Sequence, residues 1–156
     1  MAAAGKWKAY DFFKQNSMNG LIDIDSHAFK VALFLSTSNA NTLGVGTGLL
    51  ADLTNQVANA NGYTTNGVAL SAVTWTRSGG TLTFDCADLA PAWTATGGPI
   101  TARFAVIFDD TAVGKPLVCV CLLDTTPADV TATDGNPFNV TINASGILAL
   151  SGATVD

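Results

Sequence analysis

Along residues 29–35 the chain alternates. Phe29, Val31, Leu33 and Leu35 fall on one side of an extended backbone, with Lys30, Ala32 and Phe34 on the other. Residues 81–86 do the same, with Leu82, Phe84 and Cys86 opposite Thr81, Thr83 and Asp85. In residues 68–76, Ser71, Val73 and Trp75 share a side. Successive side chains of a strand point to opposite faces, so this period of two predicts half-buried strands. Two later runs lose the alternation. Residues 102–108 set Ala102, Phe104, Val106 and Phe108 against Arg103, Ala105 and Ile107, and in residues 117–123 both faces are wholly apolar. Such strands belong at the centre of a sheet covered on both sides, the second cover being a loop, a short helix or a neighbouring subunit. Residues 138–142 and 147–150 predict a closing hairpin that turns at Ala144-Ser145-Gly146.

Leu49, Leu50, Leu53 and Val57 have helical spacing and predict one short helix, stopped by Asn59-Ala60-Asn61-Gly62. Turn signals recur elsewhere at short intervals, among them Asn19-Gly20, Asn66-Gly67, Ser78-Gly79-Gly80 and Asp134-Gly135-Asn136-Pro137. The pattern predicts an all-β fold, an antiparallel β-sandwich of jelly-roll-like kind, with one short helix near residues 49–58. Residues 1–20 stand apart as an N-terminal aromatic segment or arm, and residues 21–156 form a single β-sandwich domain. In the first zone Trp7, Tyr10, Phe12 and Phe13 sit among lysines. They read either as an edge strand packed on its own domain or as an arm that docks aromatic anchors on a neighbour. These four and Trp93 are the interface candidates, with core packing the competing reading for Trp93.

Composition sharpens this picture. Charged residues make up 12% of the chain, about half the usual ~25%. Every acidic residue is Asp, which favours turns and caps over helix interiors. Thr, Asn, Ser, Gly and Ala fill the surface instead, and mean hydropathy is +0.34. Such a neutral surface is easily desolvated, which predicts contact with other subunits and a homo-oligomer, most simply a trimer. The net charge of −5 and the absence of a basic run argue against nucleic acid. No apolar run approaches the ~20 residues that a membrane span needs. The start of the chain lacks the features of a signal peptide, and three cysteines, an odd number, lie in apolar runs. Both features predict synthesis in a cytoplasm with reduced, buried thiols.

Candidate chemistry is sparse. Asp23, Asp25 and His27 would share a face if extended, yet they are too few for a hard cation or for zinc, and a polar turn is expected there. Cys86, Cys119 and Cys121 lack a Cys-x-x-Cys knuckle and read as inert core thiols. His27 is the only imidazole. Asp85, Asp88, Asp109 and Asp110 could supply a carboxylate pair but sit at strand ends, where solvated turn residues are expected. Gly44-Val45-Gly46-Thr47-Gly48 lacks the lysine of a phosphate-binding loop and reads as a flexible connection. The expectation is a non-enzymatic protein with no cofactor and no metal.

One block has a recognisable order: Asp52-Leu53-Thr54-Asn55-Gln56-Val57, Gly62-Tyr63-Thr64, Asn66-Gly67-Val68-Ala69-Leu70, Trp75, Phe84-Asp85, Asp88, Trp93, Ala102-Arg103-Phe104-Ala105-Val106 and Lys115-Pro116-Leu117. This order resembles small structural proteins of tailed bacteriophages, of the kind found as capsid decoration proteins or as neck and tail components. The resemblance implies a virion location, no catalytic residues, and the major capsid protein or other virion proteins as partners. A capsid decoration (cement) protein is the first expectation, and a neck, tail or fibre-associated component the second. A carbohydrate-binding sandwich module that presents Trp75 or Trp93 to sugars is a third, from a different class.

Overall fold

The structure is a computed structural model, and it describes residues 4–126 and 128–152. The chain forms an all-β, sandwich-like fold. Its largest sheet holds five antiparallel strands in the order β1 (Lys8–Ala9), β9 (Leu117–Leu122), β8 (Phe104–Asp109), β2 (Phe29–Phe34), β3 (Val68–Ala69). The two segments apolar on both faces are the central strands β8 and β9, buried along nearly their whole length. A three-stranded sheet joins β12 (Leu148–Ser151), β5 (Thr81–Asp85) and β4 (Thr74–Ser78). Two further pairs complete the fold, β6 (Leu89–Thr94) with β11 (Pro137–Val140) and β7 (Ile100–Ala102) with β10 (Val130–Ala132).

Register fixes the faces of the large sheet. Val31 lies opposite Ile107, which lies opposite Cys119, which lies opposite Ala9. The face that carries these residues meets the second layer, where the Phe29 and Phe84 rings touch edge to face with centroids 5.5 Å apart. Trp93, buried between Tyr63 and Phe138, anchors the core there, with ring centroids 5.1 and 6.3 Å away.

The opposite face is covered by a short α-helix and by loops. Helix α1 (Asp11–Met18) packs on β9 and buries Phe13. Tyr10, fully buried at its start, donates from its hydroxyl to the Ala40 carbonyl at 2.6 Å. Asp11 in the first turn suits the positive end of the helix. At the other end Gly20, at φ +72°, turns the chain left-handed. Its N–H returns to Ser17 and that of Leu21 to Asn16, the paired bonds of a Schellman stop. The second cover of the central strands is therefore internal.

Three expectations need correction. The helix lies at residues 11–18, not near 49–58. There only a single 3-10 turn, Leu50–Asp52, forms. Beyond it the chain runs extended along β2, the Leu35 N–H reaching the Asn55 carbonyl and the Val57 N–H reaching that of Leu33. Asn55 at φ +54° ends any helical path, and the open edge of β2 supplies the hydrogen bonds a helix would have made internally. Second, residues 68–76 are not one strand. Ala72, at φ +48°, bends the chain between β3, which pairs with β2, and β4, which pairs with β5. Third, β11 and β12 do not form a hairpin. They diverge to β6 and β5, and β6 escapes a pattern-based reading because Pro91 interrupts it. Of the two readings of the N-terminal zone, the described residues form the edge strand packed on its own domain: β1 pairs with β9, and α1 packs beside it. Met1–Ala3 of the expected arm lie outside the described residues.

Phe13→Ala should therefore cost about 3–4 kcal/mol, as the loss of a core aromatic does. Urea unfolding of the full chain measures it. An unchanged midpoint would mean that Phe13 is not part of the core.

Candidate functional site

Three places gather polar or reactive groups. The first lies where β8 ends. Asp109 is fully buried, and its Oδ1 accepts the N–H groups of Thr111 and Ala112 at 2.8 and 3.0 Å. Its Oδ2 lies 2.6 Å from His27 Nδ1. This contact holds the imidazole ring in one orientation. Next to it, Asp110 binds Lys30 at 2.7 Å and Lys115 at 2.9 Å. Burial pushes the Asp110 carboxyl up, but the hydrogen bonds and charges of the two lysines outweigh it and leave the group below its ordinary range.

The turn before β2 is tied down too. Asp23 accepts the Asp25 N–H and the Ser26 hydroxyl, bonds that hold its carboxyl below the usual range. The polar turn expected there is present, but His27 leaves it to join Asp109. Asp109 itself departs from the expected solvated turn residue. A strand buried on both faces carries its last side chain inside, where the charge needs partners. Ser26 gives its hydroxyl to Asp23, and Thr111 takes the Ala28 N–H, so the hydroxyls beside the imidazole are engaged with the local backbone and turn. The cluster acts as a brace that joins the turn before β2 to the end of β8.

The second place is the glycine-rich stretch at residues 44–48. The Asp52 carboxylate accepts the N–H groups of Leu49 and Thr47 and the Thr47 hydroxyl at 2.8–3.0 Å. The Leu49 and Thr47 backbone bonds hold its carboxyl below the usual range. The loop's N–H groups thus receive the chain's own anion, and the loop is a braced turn, not a flexible connection. Gly48, at φ +76°, lies directly on Phe12, where a Cβ would come within 2.6 Å of that side chain. Phe12 is half-buried by this contact.

The third place is a groove of about 1040 Å³ on the side of the sandwich. One wall is residues 4–7 and the other is formed by residues 138–149. Trp7, Cys121, Leu123, Val140 and Ile147 give it an apolar lining, and Asn139, Thr141 and Asn143 a polar rim. Of the five aromatic interface candidates, Tyr10, Phe13 and Trp93 are buried in the chain's own core and cannot present their rings to a partner. Trp7 stands in the groove. The groove has a faint signal in sequence, the alternation Phe138-Asn139-Val140-Thr141-Ile142. The His27–Asp109 contact, between residues 82 positions apart, has none.

The thiols are buried and unpaired in disulfides. Burial pushes Cys86 up to about 11, with the charges of Asp85 and Asp88 adding to it. Burial alone pushes Cys121 up to about 11. Cys119 is raised further, by burial and then by the other two thiols. Among the described residues no group of three metal-binding side chains is placed to hold an ion. Nor is any helix of the described residues long and apolar enough to cross a membrane. The chain matches no family model, no curated protein and no solved structure.

His27→Ala should cost about 2 kcal/mol, because one oxygen of a buried carboxylate loses its charge-assisted partner; the urea midpoint at neutral pH reports it. The thiols give a pH dependence. Unfolded cysteine ionises near ~8.5, whereas Cys86 and Cys121 ionise at about 11 in the fold. The fold favours the neutral thiol, so this stability is complete below the unfolded value and is lost as pH rises towards the folded one. The urea midpoint should fall across that window. Iodoacetamide should label the native chain at mildly alkaline pH far more slowly than the urea-unfolded chain, followed by mass spectrometry. Equal rates would show the thiols to be accessible.

Proposed function

We propose that the chain is a non-enzymatic structural component of a tailed-phage particle, a decoration protein that bridges neighbouring shell subunits. The observation that carries this reading is the surface. Charges are few, and some of them are engaged internally: Lys30 and Lys115 on Asp110, Arg103 on Asp129, His27 on Asp109. What remains outside is mostly neutral Thr, Asn, Ser, Gly and Ala, which lose water at small cost when another subunit covers them. The order of short motifs between residues 52 and 117 supports the same reading, as does a rigid sandwich with its reactive groups committed to structure. The carbohydrate-binding reading loses one of its two platforms, since the Trp93 ring is buried.

The test is the copy number of the chain in purified particles relative to the major capsid protein, with shell stability measured in particles that lack it. A ratio near that of the shell subunit, and a shell that opens at lower temperature without the chain, are expected. A small ratio would move the protein to the neck, tail or fibres. Its absence from particles would overturn the reading.

A further inference from the structure

The basic side chains divide into two groups. Lys30, Lys115 and Arg103 have carboxylate partners, whereas Lys6, Lys8, Lys14 and Arg77 meet none among the described residues. Three of these four lie in the stretch that forms β1 and α1, a positive strip on a chain of net charge −5.

The same strip is an open sheet edge. The Tyr10 N–H donates to the Val118 carbonyl across the pair of β1 with β9, and Lys8 stands opposite Val120. Backbone groups alternate in direction along a strand, so Lys8 and Tyr10 face β9 while Trp7 and Ala9 turn their N–H and C=O groups outward. Among the described residues nothing bonds to those outward groups. The groove runs along this edge. Side chains alternate as well: Trp7 and Ala9 lie on the face that meets the second layer and Lys8 on the other, while Lys6, before the strand, lines the groove.

We propose that the groove takes an extended acidic segment of a partner protein, added as a strand to the outer edge of β1. Its backbone completes the hydrogen bonds of Trp7 and Ala9, as strand addition does at other open edges. Its apolar side chains, at alternate positions, enter the groove beside Trp7. The carboxylates between them fall on the face of Lys8, and Lys6 in the groove lining adds a second cation beside the segment. The inference does not rest on the particle reading.

The test selects peptides from a random display library of short linear sequences on the full chain at low salt. The same chain carrying K6E and K8E, both exposed changes, is the comparison, and a second variant, Ala149→Glu, alters the far wall at an exposed position. Selected peptides should alternate apolar and acidic residues and bind both variants about tenfold more weakly. Binding should also slow hydrogen exchange at the Trp7 and Ala9 amides. Recovery of no peptide, equal binding to the charge-reversed chain, or protection confined to other amides would overturn the proposal. A mass in sedimentation that drops on charge reversal, with no peptide bound, would give the site to a second copy and overturn it too.

Discussion

The requirement that β8 and β9 be dry on both faces governs the rest of the structure. A strand of six apolar residues buries its side chains usefully only if two layers cover it, and each layer must hydrogen-bond its own backbone. On one side the β4–β5–β12 sheet and the β6–β11 pair do this. On the other, α1 and loops do it with Tyr10 and Phe13, and the buried Tyr10 hydroxyl finds a carbonyl in the covering loop. The same requirement explains Asp109. Where the doubly buried strand ends, its first polar side chain is still inside and must carry its partners with it.

Much of the fold was legible in sequence because strand periodicity is local. The alternation in residues 29–35 and 81–86 and its loss in 102–108 and 117–123 translate directly into β2, β5, β8 and β9. What failed depended on distant partners. Leu49, Leu50, Leu53 and Val57 have helical spacing, yet the edge of β2 holds the following segment extended. Residues 138–142 and 147–150 look like a hairpin, yet each finds a better partner elsewhere. The helix at residues 11–18 is only two turns long, and its aromatic cluster resembles a strand or an arm until Tyr10 and Phe13 are seen in the core.

The candidate site was less legible for the same reason. Composition correctly suggested a shortage of free charge but not its distribution. Pairing removes Lys30, Lys115 and Arg103 from the surface account and leaves the cations of the N-terminal stretch beside an open strand edge. The glycine-rich stretch at residues 44–48 resembles an anion cradle, and it is one, but its occupant is Asp52.

The register of the large sheet has a kinetic consequence. β1 and α1 are made well before their partner β9, which lies about a hundred residues further along the chain, and loop closure over such a span is slow. While the ribosome works, Tyr10 and Phe13 have nowhere to go. The nascent chain therefore carries an uncovered aromatic segment until residues 117–122 emerge. Residues 117–122, all Leu, Val or Cys, decide when that aromatic segment becomes safe from aggregation.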